Sequence, residues 1–295
     1  MHRSGTTFLG KILEKTKQYD CIYEPLNKDR GIVDVDTWYK YYPMNLASTD
    51  ESILEKLYTV NLKYKRYENN NDDKSMLERI LRKLVFSRGH LDYIIHKVKP
   101  NKKEVLYKDP FFTLAAGRFS ERFQGVKTIY VVRHPIAIYN SLKRMDWKFD
   151  LNEILKQPLL VKDHCQDFCD KFSSVDTLHE QSAYLWKLLY RVVYEQHHAA
   201  SERSIIIRHE DLSQNPYETY ALIHTFLGLK TDDSKVDSFI KSTMFSDKVN
   251  AKDDQVHDFK RNSYELAYSW KNKMNPEYLK ILDIVGEDLH RYYND

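Results

Sequence analysis

Four short segments of the chain are rich in β-branched and aromatic residues, and each of them predicts a strand. These segments are residues 20–23, 104–107, 127–132 and 203–207. The two strongest contain the runs Thr128-Ile129-Tyr130-Val131-Val132 and Ile205-Ile206-Ile207. Because their apolar residues are continuous and do not alternate with polar ones, we expect these strands to be buried on both faces.

Between the predicted strands lie segments whose apolar residues recur at helical spacing. The predicted helices are residues 6–17, 136–145, 175–200, 216–227 and 276–293. The last two begin at a proline, which is favoured in the first turn of a helix. Strands that alternate with helices predict an α/β fold with a central parallel sheet of four or five strands and helices on both faces.

Residues 50–103 interrupt this alternation. Helical patterns at 53–67 and 73–88 are separated by the polar run 68–72, which predicts a loop. No composition typical of a linker divides the chain, and 295 residues suit one large α/β domain. We therefore predict a single domain over residues 1–295, with 50–103 as a helical insertion or lid within it.

Composition and charge narrow the possible partners and locations. The net charge of +3 is too small to indicate a nucleic-acid partner. Three cysteines give no disulfide framework, and this favours a reducing compartment such as the cytoplasm. No secretory signal or apolar run of ~18 residues is present, so we expect no membrane span. A membrane-anchored enzyme that had lost its anchor would look the same.

The segment Arg3-Ser4-Gly5-Thr6-Thr7-Phe8-Leu9 has the composition of a phosphate cradle. Small residues let backbone N–H groups approach an anion, and the helix that follows contributes the positive end of its dipole. Thr6 occupies the position at which a nucleotide triphosphatase has a lysine after the glycine. A helix N-cap formed by Ser4 or Thr6 is the alternative interpretation.

A second motif follows the strongest strand. Arg133 comes directly after Val132, and Ser141 lies eight residues later, about two turns into the next predicted helix. An arginine at a strand end and a hydroxyl on the following helix can hold one phosphate from two sides. Open parallel sheets bind their ligands at the carboxyl ends of their strands.

Together the two motifs resemble those of the sulfotransferase superfamily that uses 3′-phosphoadenosine-5′-phosphosulfate (PAPS), whose fold is a P-loop-type parallel sheet. The resemblance implies a 5′-phosphosulfate loop and a 3′-phosphate site. It assigns the following residues to cofactor binding: Arg3, Ser4, Gly5, Thr6, Thr7, Phe8, Arg133, Ser141, His209 and Arg261. His209 stands where the family usually has a tyrosine.

The same resemblance implies the catalytic residues. Lys108, in Tyr107-Lys108-Asp109-Pro110, is similar to the lysine that the family brings to the reaction centre. The segment Glu24-Pro25-Leu26-Asn27 resembles that of carbohydrate-type members and makes Glu24 the first candidate for the base, with Asp109 second. Arg3 and Lys108 would stabilise charge on the leaving phosphate of 3′-phosphoadenosine-5′-phosphate (PAP). We thus expect sulfuryl transfer from PAPS to an acceptor hydroxyl or amine, with carbohydrate favoured.

No metal is expected in this reaction, since the transferred sulfuryl group carries little charge. His164, Cys165 and Cys169 lie close together, but a second pair of ligands at zinc-site spacing is missing. Two other functions remain open, namely a non-catalytic PAP-binding or scaffold protein and a P-loop kinase.

The chain departs from the family pattern at its beginning. The phosphate loop of the family follows a central strand, whereas here the loop begins at Arg3. We predict that this first strand is missing, which would expose the edges of its two neighbours. A late start codon, a trimmed chain and another segment that fills the position are three explanations, and the first is favoured.

Overall fold

The computed structural model describes residues 1–44, 51–66, 85–147, 151–230, 234–244, 268, 270, 271 and 274–293. Within these residues the four predicted strands form, at Tyr19–Tyr23 (β1), Glu104–Lys108 (β2), Thr128–Val132 (β3) and Ser204–Arg208 (β4). Each differs from its predicted bounds by one residue at one or both ends. The fold is a mixed α/β fold with parallel strands, as the alternating pattern predicts.

The strands pair in parallel as two separate pairs. β1 pairs with β2, from Tyr19 opposite Glu104 to Tyr23 opposite Lys108. β3 pairs with β4 with equal regularity, from Thr128 opposite Ser204 to Val132 opposite Arg208. Over the part of the chain that the structure describes, no hydrogen-bonded pairing joins the two pairs.

A cavity of about 950 Å³ lies between β2 and β3. Its walls come from both of these strands and from the first helix, and they include Leu9, Leu13, Leu106, Ile129 and Val131. The sequence predicts a central parallel sheet that lacks its first strand, and this cavity lies between two strands that are not paired with each other among the described residues. The unpaired edges of β2 and β3 border the cavity.

Both faces of β3 are covered by helices. Val131 packs with Leu9 and Ile12 of the first helix in one apolar cluster, whereas Val132 packs in the larger cluster on the opposite face. Successive residues of a strand point to opposite faces. The continuous apolar runs in the sequence are explained by this burial on two sides.

The helices follow the predicted periodicity closely. α1 is Thr6–Lys15, and the helix after β3 is Pro135–Arg144 (α5). The longest helix, Leu178–Ala199 (α9), packs across the larger cluster. The others are Ser52–Tyr58 (α2), Arg88–Val98 (α3), Ala116–Arg122 (α4), Leu151–Leu155 (α6), Pro158–His164 (α7), Cys169–Ser173 (α8), His209–Gln214 (α10), Pro216–Leu227 (α11), Ser234–Met244 (α12) and Pro276–Val285 (α13). Two 3₁₀ helices cover Pro110–Phe112 and Gly286–Arg291.

Two predicted helices are shorter than their patterns indicate. The helix predicted over 276–293 ends as an α-helix at Val285, and a 3₁₀ helix over Gly286–Arg291 follows it. The pattern predicts a helix over 53–67, whereas α2 ends at Tyr58. Val60 has a φ of 51°, a left-handed conformation that cannot continue a helix. Beyond it Tyr64 pairs antiparallel with Ile32. Most of the second predicted helix, 73–88, lies outside the described residues.

Candidate functional site

Four predicted site residues lie where strands end. Lys108 is the last residue of β2, Glu24 directly follows β1, Arg133 directly follows β3, and His209 directly follows β4. Parallel pairing brings the carboxyl ends of paired strands to the same edge. Ligands of open α/β sheets bind at this edge.

The amino end of α1 lies at the same edge and has no side-chain cap. Gly5 is the N-cap residue, with a φ of 94°, and among the described residues no side chain caps the first turn. Ser4 instead donates its hydroxyl to the carbonyl of Met1 at 2.7 Å. The alternative interpretation, capping by Ser4 or Thr6, is therefore wrong. An uncapped first turn leaves backbone N–H groups available to an anion.

Hydrogen bonds join the two motifs of the sequence. Arg3 donates from Nε to the Ser141 hydroxyl at 2.8 Å, and Arg133 donates from Nη1 to the Arg3 carbonyl at 3.0 Å. Arg3 has a φ of 65°, which is uncommon for a residue with a side chain. The three residues thus form one basic cluster beside the amino end of α1.

Gly5 and His209 are in close contact. A Cβ atom at position 5 would lie 2.3 Å from Nδ1 of His209, so only glycine fits there. Burial lowers the pKa of His209 well below its usual value, and the charge of Arg133 lowers it further. A neutral imidazole therefore lies against the loop that precedes α1.

Two nitrogen atoms at this site are hidden from solvent without a partner. Nε of Arg133 and Nδ1 of His209 have no hydrogen-bond partner among the described residues. Burial also lowers the pKa of Arg133 from its usual value. Buried polar groups in folded proteins are nearly always hydrogen-bonded, so two such atoms beside one loop are typical of a binding site.

Glu24 and Lys108 form an ion pair at the adjacent strand ends. Nζ of Lys108 lies 2.8 Å from Oε1 of Glu24, and the Glu24 N–H donates to the Lys108 carbonyl at 3.0 Å. The Lys108 side chain is 6% exposed and the Glu24 side chain 35% exposed. Glu24 has a φ of 51°, and strained backbone of this kind is frequent at active sites.

Asp109, the second candidate for the base, is already engaged by the backbone. Its two carboxylate oxygens accept from the N–H groups of Leu26 at 2.6 Å and Phe111 at 2.8 Å. Burial and the nearby charge of Glu24 raise its pKa to about 7. Both oxygens of Asp109 are thus engaged by backbone N–H groups, whereas the Glu24 carboxylate contacts the side chains of Lys108 and Asn27.

The remaining predicted residues lie at varied distances from this edge. Thr6 lines the cavity between the two pairs of strands. Phe8 packs against Phe239 of α12, with ring centroids 5.9 Å apart. Thr7 is partly buried in the first turn of α1. Arg261 lies outside the described residues.

Several residues at the site carry no signal in the sequence. The Tyr39 hydroxyl contacts His2, the residue before Arg3, and the Trp147 ring centroid lies 5.6 Å from the guanidinium carbon of Arg3. Glu210 accepts from the backbone N–H of His134 at 3.0 Å. Tyr39 and Trp147 reach the site through tertiary contacts that no local pattern predicts, whereas Glu210 directly follows the predicted site residue His209 in the sequence.

His164, noted in the sequence as a possible metal ligand, and Lys99 both serve structural contacts. His164 contacts Glu195 and Tyr41, and no cluster of three metal-ligating side chains occurs within the described ranges. Lys99 pairs with Asp20 at 2.5 Å near the amino ends of β1 and β2, the edge opposite Glu24. Lysines at that edge do not line the basic cluster of Arg3 and Arg133.

Comparison with known proteins gives the following findings. A family model described as "Sulfotransferase family" matches residues 1–233. Among solved structures, the chain is similar to a sulfotransferase domain from the curacin biosynthetic pathway, with 16% sequence identity and a TM-score of 0.45, over 96% of this chain and 93% of that chain. No curated protein matches the chain. None of the helices described here is both long and apolar enough for a membrane crossing.

Proposed function

The chain belongs to the sulfotransferase family, and from that premise we propose that it moves a sulfuryl group from PAPS to an acceptor hydroxyl or amine. The observation that carries the proposal is the basic cluster of Arg3, Ser141 and Arg133 beside the uncapped end of α1. Backbone N–H groups and two guanidinium groups at one place suit a ligand with two separate phosphate groups.

The residues present fit PAPS in three respects. Nε of Arg133 and Nδ1 of His209 have no partner among the described residues and could be satisfied by a nucleotide. Gly5 lacks a Cβ atom, which lets the His209 ring lie directly against this loop. Arg3 and the first turn of α1 would hold the 5′-phosphosulfate, and Arg133 and Ser141 the 3′-phosphate, as the resemblance implies. When bound, PAPS supplies the sulfuryl group and a phosphate leaving group.

The ion pair of Glu24 and Lys108 suits acid–base chemistry. We infer that Glu24 accepts the proton of the acceptor hydroxyl, while Lys108 and Arg3 stabilise charge on the leaving phosphate. Lys108 lies 2.8 Å from Glu24 before reaction. Protonation of Glu24 would neutralise the carboxylate, which weakens its hold on Lys108 and leaves that ammonium group free to face the leaving phosphate.

We propose a carbohydrate as the acceptor. The segment Glu24-Pro25-Leu26-Asn27 resembles that of carbohydrate-type sulfotransferases. Asn27 donates from Nδ2 to Glu24 Oε2 at 3.2 Å, so this segment orients the proposed base as well. A non-catalytic PAP-binding protein is the second candidate, since the cluster of Arg3, Ser141 and Arg133 could bind PAP without any reaction at Glu24.

The test of this proposal is a titration combined with a transfer assay. We expect calorimetry to give a micromolar Kd for PAP, about −8 kcal/mol, and much weaker binding of ATP. Labelled PAPS with a panel of glycans should then give labelled product. A folded chain that binds no PAP contradicts the proposal, and PAP binding without transfer to any acceptor favours the non-catalytic candidate.

We propose that residues 1–295 form one domain, with 50–103 as a helical insertion beside the acceptor site. α3 of this insertion supports the idea, since it packs directly on the end of β1. A Cβ atom at Gly89 would lie 2.1 Å from the carbonyl oxygen of Tyr23, the residue before Glu24. The insertion thus reaches the neighbourhood of the proposed base.

We also propose that the central strand of the P-loop-type sheet is missing, and the cavity between β2 and β3 supports this. We expect a Val/Ile-rich segment of about six residues fused ahead of Met1 to raise the unfolding midpoint by roughly 5–10 °C, because it would bury apolar side chains and pair both edges. A Gly/Ser segment of equal length is the control, and equal midpoints would contradict the proposal.

A further inference from the structure

Tyr39 lies beside the phosphate loop in an unusual backbone conformation. It belongs to the segment between β1 and α2, its side chain is fully buried, and its φ is 53°. The described residues include six non-glycine residues with positive φ, and Arg3, Glu24 and Tyr39 are three of them. Such conformations persist only where surrounding contacts hold them, and they concentrate at functional sites.

The Tyr39 hydroxyl contacts the residue immediately before Arg3. It accepts from the backbone N–H of His2 at 3.1 Å, and it lies 2.6 Å from Nδ1 of the same histidine. Burial lowers the pKa of His2 to about 3, so its imidazole is neutral. Tyr39 therefore fixes both the backbone and the side chain of His2 through one oxygen atom.

Tyr39 is itself held from two directions. Gln157, the N-cap residue of α7, donates from Nε2 to the Tyr39 carbonyl at 3.1 Å and accepts from the Tyr41 N–H at 2.8 Å. The Tyr39 ring packs edge-on against Phe111, with centroids 5.4 Å apart. Its hydroxyl is thereby kept at a set position relative to the loop.

The backbone at His2 and Arg3 determines where the basic cluster lies. The Arg3 carbonyl receives Nη1 of Arg133, and the Arg3 side chain reaches the Ser141 hydroxyl. Both contacts depend on the positive φ of Arg3, a conformation that is unfavourable by itself. A bond that anchors the preceding residue can sustain this conformation.

We propose that Tyr39 is a positioning residue for the phosphate loop: its hydroxyl holds His2 so that Arg3 keeps the conformation in which it joins Ser141 and Arg133. This inference rests on the proposed function, since it concerns the same anion site. Tyr39 acts through His2 and Arg3 and is not required to touch the nucleotide.

Tyr39→Phe tests this proposal, because the substitution removes only the hydroxyl oxygen. Tyr130→Phe is the matched control, since Tyr130 is also buried and donates its hydroxyl to Gln196 at 2.7 Å, away from His2 and Arg3. We expect Tyr39→Phe to weaken PAP binding about tenfold and Tyr130→Phe less than twofold. Unfolding midpoints measured in parallel should fall by similar amounts in the two variants.

Ligand selectivity separates positioning from a general loss of structure. Calorimetry with adenosine 3′-phosphate, which lacks the 5′-phosphate, should show a smaller loss in Tyr39→Phe than calorimetry with PAP does. Equal losses for both ligands, or PAP affinity unchanged in Tyr39→Phe, would overturn the inference while leaving the proposed function intact. Absence of PAP binding by the unmodified chain would instead overturn the proposed function and this inference with it.

Gln157→Ala provides a second variant if Tyr39→Phe does not fold. Gln157 is partly exposed, and its loss frees the Tyr39 backbone without removing any contact of His2. We expect PAP binding to weaken two- to threefold, again with a smaller loss for adenosine 3′-phosphate. Unchanged PAP affinity in this variant would count against a role for Tyr39.

Discussion

Arg133→Met is expected to weaken PAP binding by at least about 100-fold, the largest effect on affinity that we predict. The substitution removes a charged donor to the proposed 3′-phosphate and leaves the Arg3 carbonyl without Nη1 of Arg133. Hydrogen bonds to charged groups contribute about 1.5–3 kcal/mol each, so the loss of two or more accounts for this factor. Calorimetric titration with PAP measures it directly.

Two further variants serve as controls for Arg133→Met. Arg203→Met changes the net charge equally, but Arg203 precedes β4 and donates to the Ser120 carbonyl at 2.9 Å, at the opposite edge. We expect its PAP affinity to stay within about twofold of the unmodified chain. Arg133→Lys keeps the charge without the planar fork and should recover only part of the affinity. PAP binding by Arg133→Met within threefold of the unmodified chain would exclude Arg133 from the site.

Glu24→Gln is expected to lower kcat for sulfuryl transfer by roughly 100- to 1,000-fold, because a positioned base contributes about that much to proton transfer. PAP affinity should change little, since Glu24 pairs with Lys108 and is not among the residues proposed to hold PAP. Transfer assays at saturating PAPS measure kcat, and a PAP titration of the same variant checks the cofactor site. A kcat within fivefold of that of the unmodified chain would show that Glu24 is not the base.

Asp109→Asn distinguishes the two candidate carboxylates. Asp109 uses both oxygens to hold the backbone N–H groups of Leu26 and Phe111, so its loss should lower the unfolding midpoint as well as kcat. Glu24→Gln should lower kcat with a smaller change in midpoint. If the two variants gave the opposite pattern, Asp109 would become the better candidate for the base.

The sequence alone identifies most of the elements and the strand ends at which the site residues lie. The apolar runs at β3 and β4, and the prolines that begin α11 and α13, are local signals that act within a few residues. Arg133 and His209 follow their strands directly, so a correct strand prediction also predicts their edge. Gly5 directly precedes a predicted helix, so the helix prediction also places Gly5 at the amino end of α1.

Only the tertiary structure decides how these elements meet. The bond from Arg3 to Ser141 joins positions 138 residues apart, and the bond from Lys108 to Glu24 joins positions 84 residues apart. Two further hydrogen bonds also depend on the packing of loops against one another. They run from the Leu26 N–H to Asp109 and from the His2 N–H to Tyr39. No local pattern carries this information.

The tertiary structure also decides that the strands form two separate pairs. Each strand has the apolar composition that pairing requires, but composition does not specify a neighbour. β2 and β3 face a cavity of about 950 Å³ that lies between the two pairs of strands. The sequence thus determines which segments become strands and which side chains stand at their ends, because these depend on short-range periodicity. Which strands pair, and which of those side chains touch, depends on the packing of distant surfaces against one another.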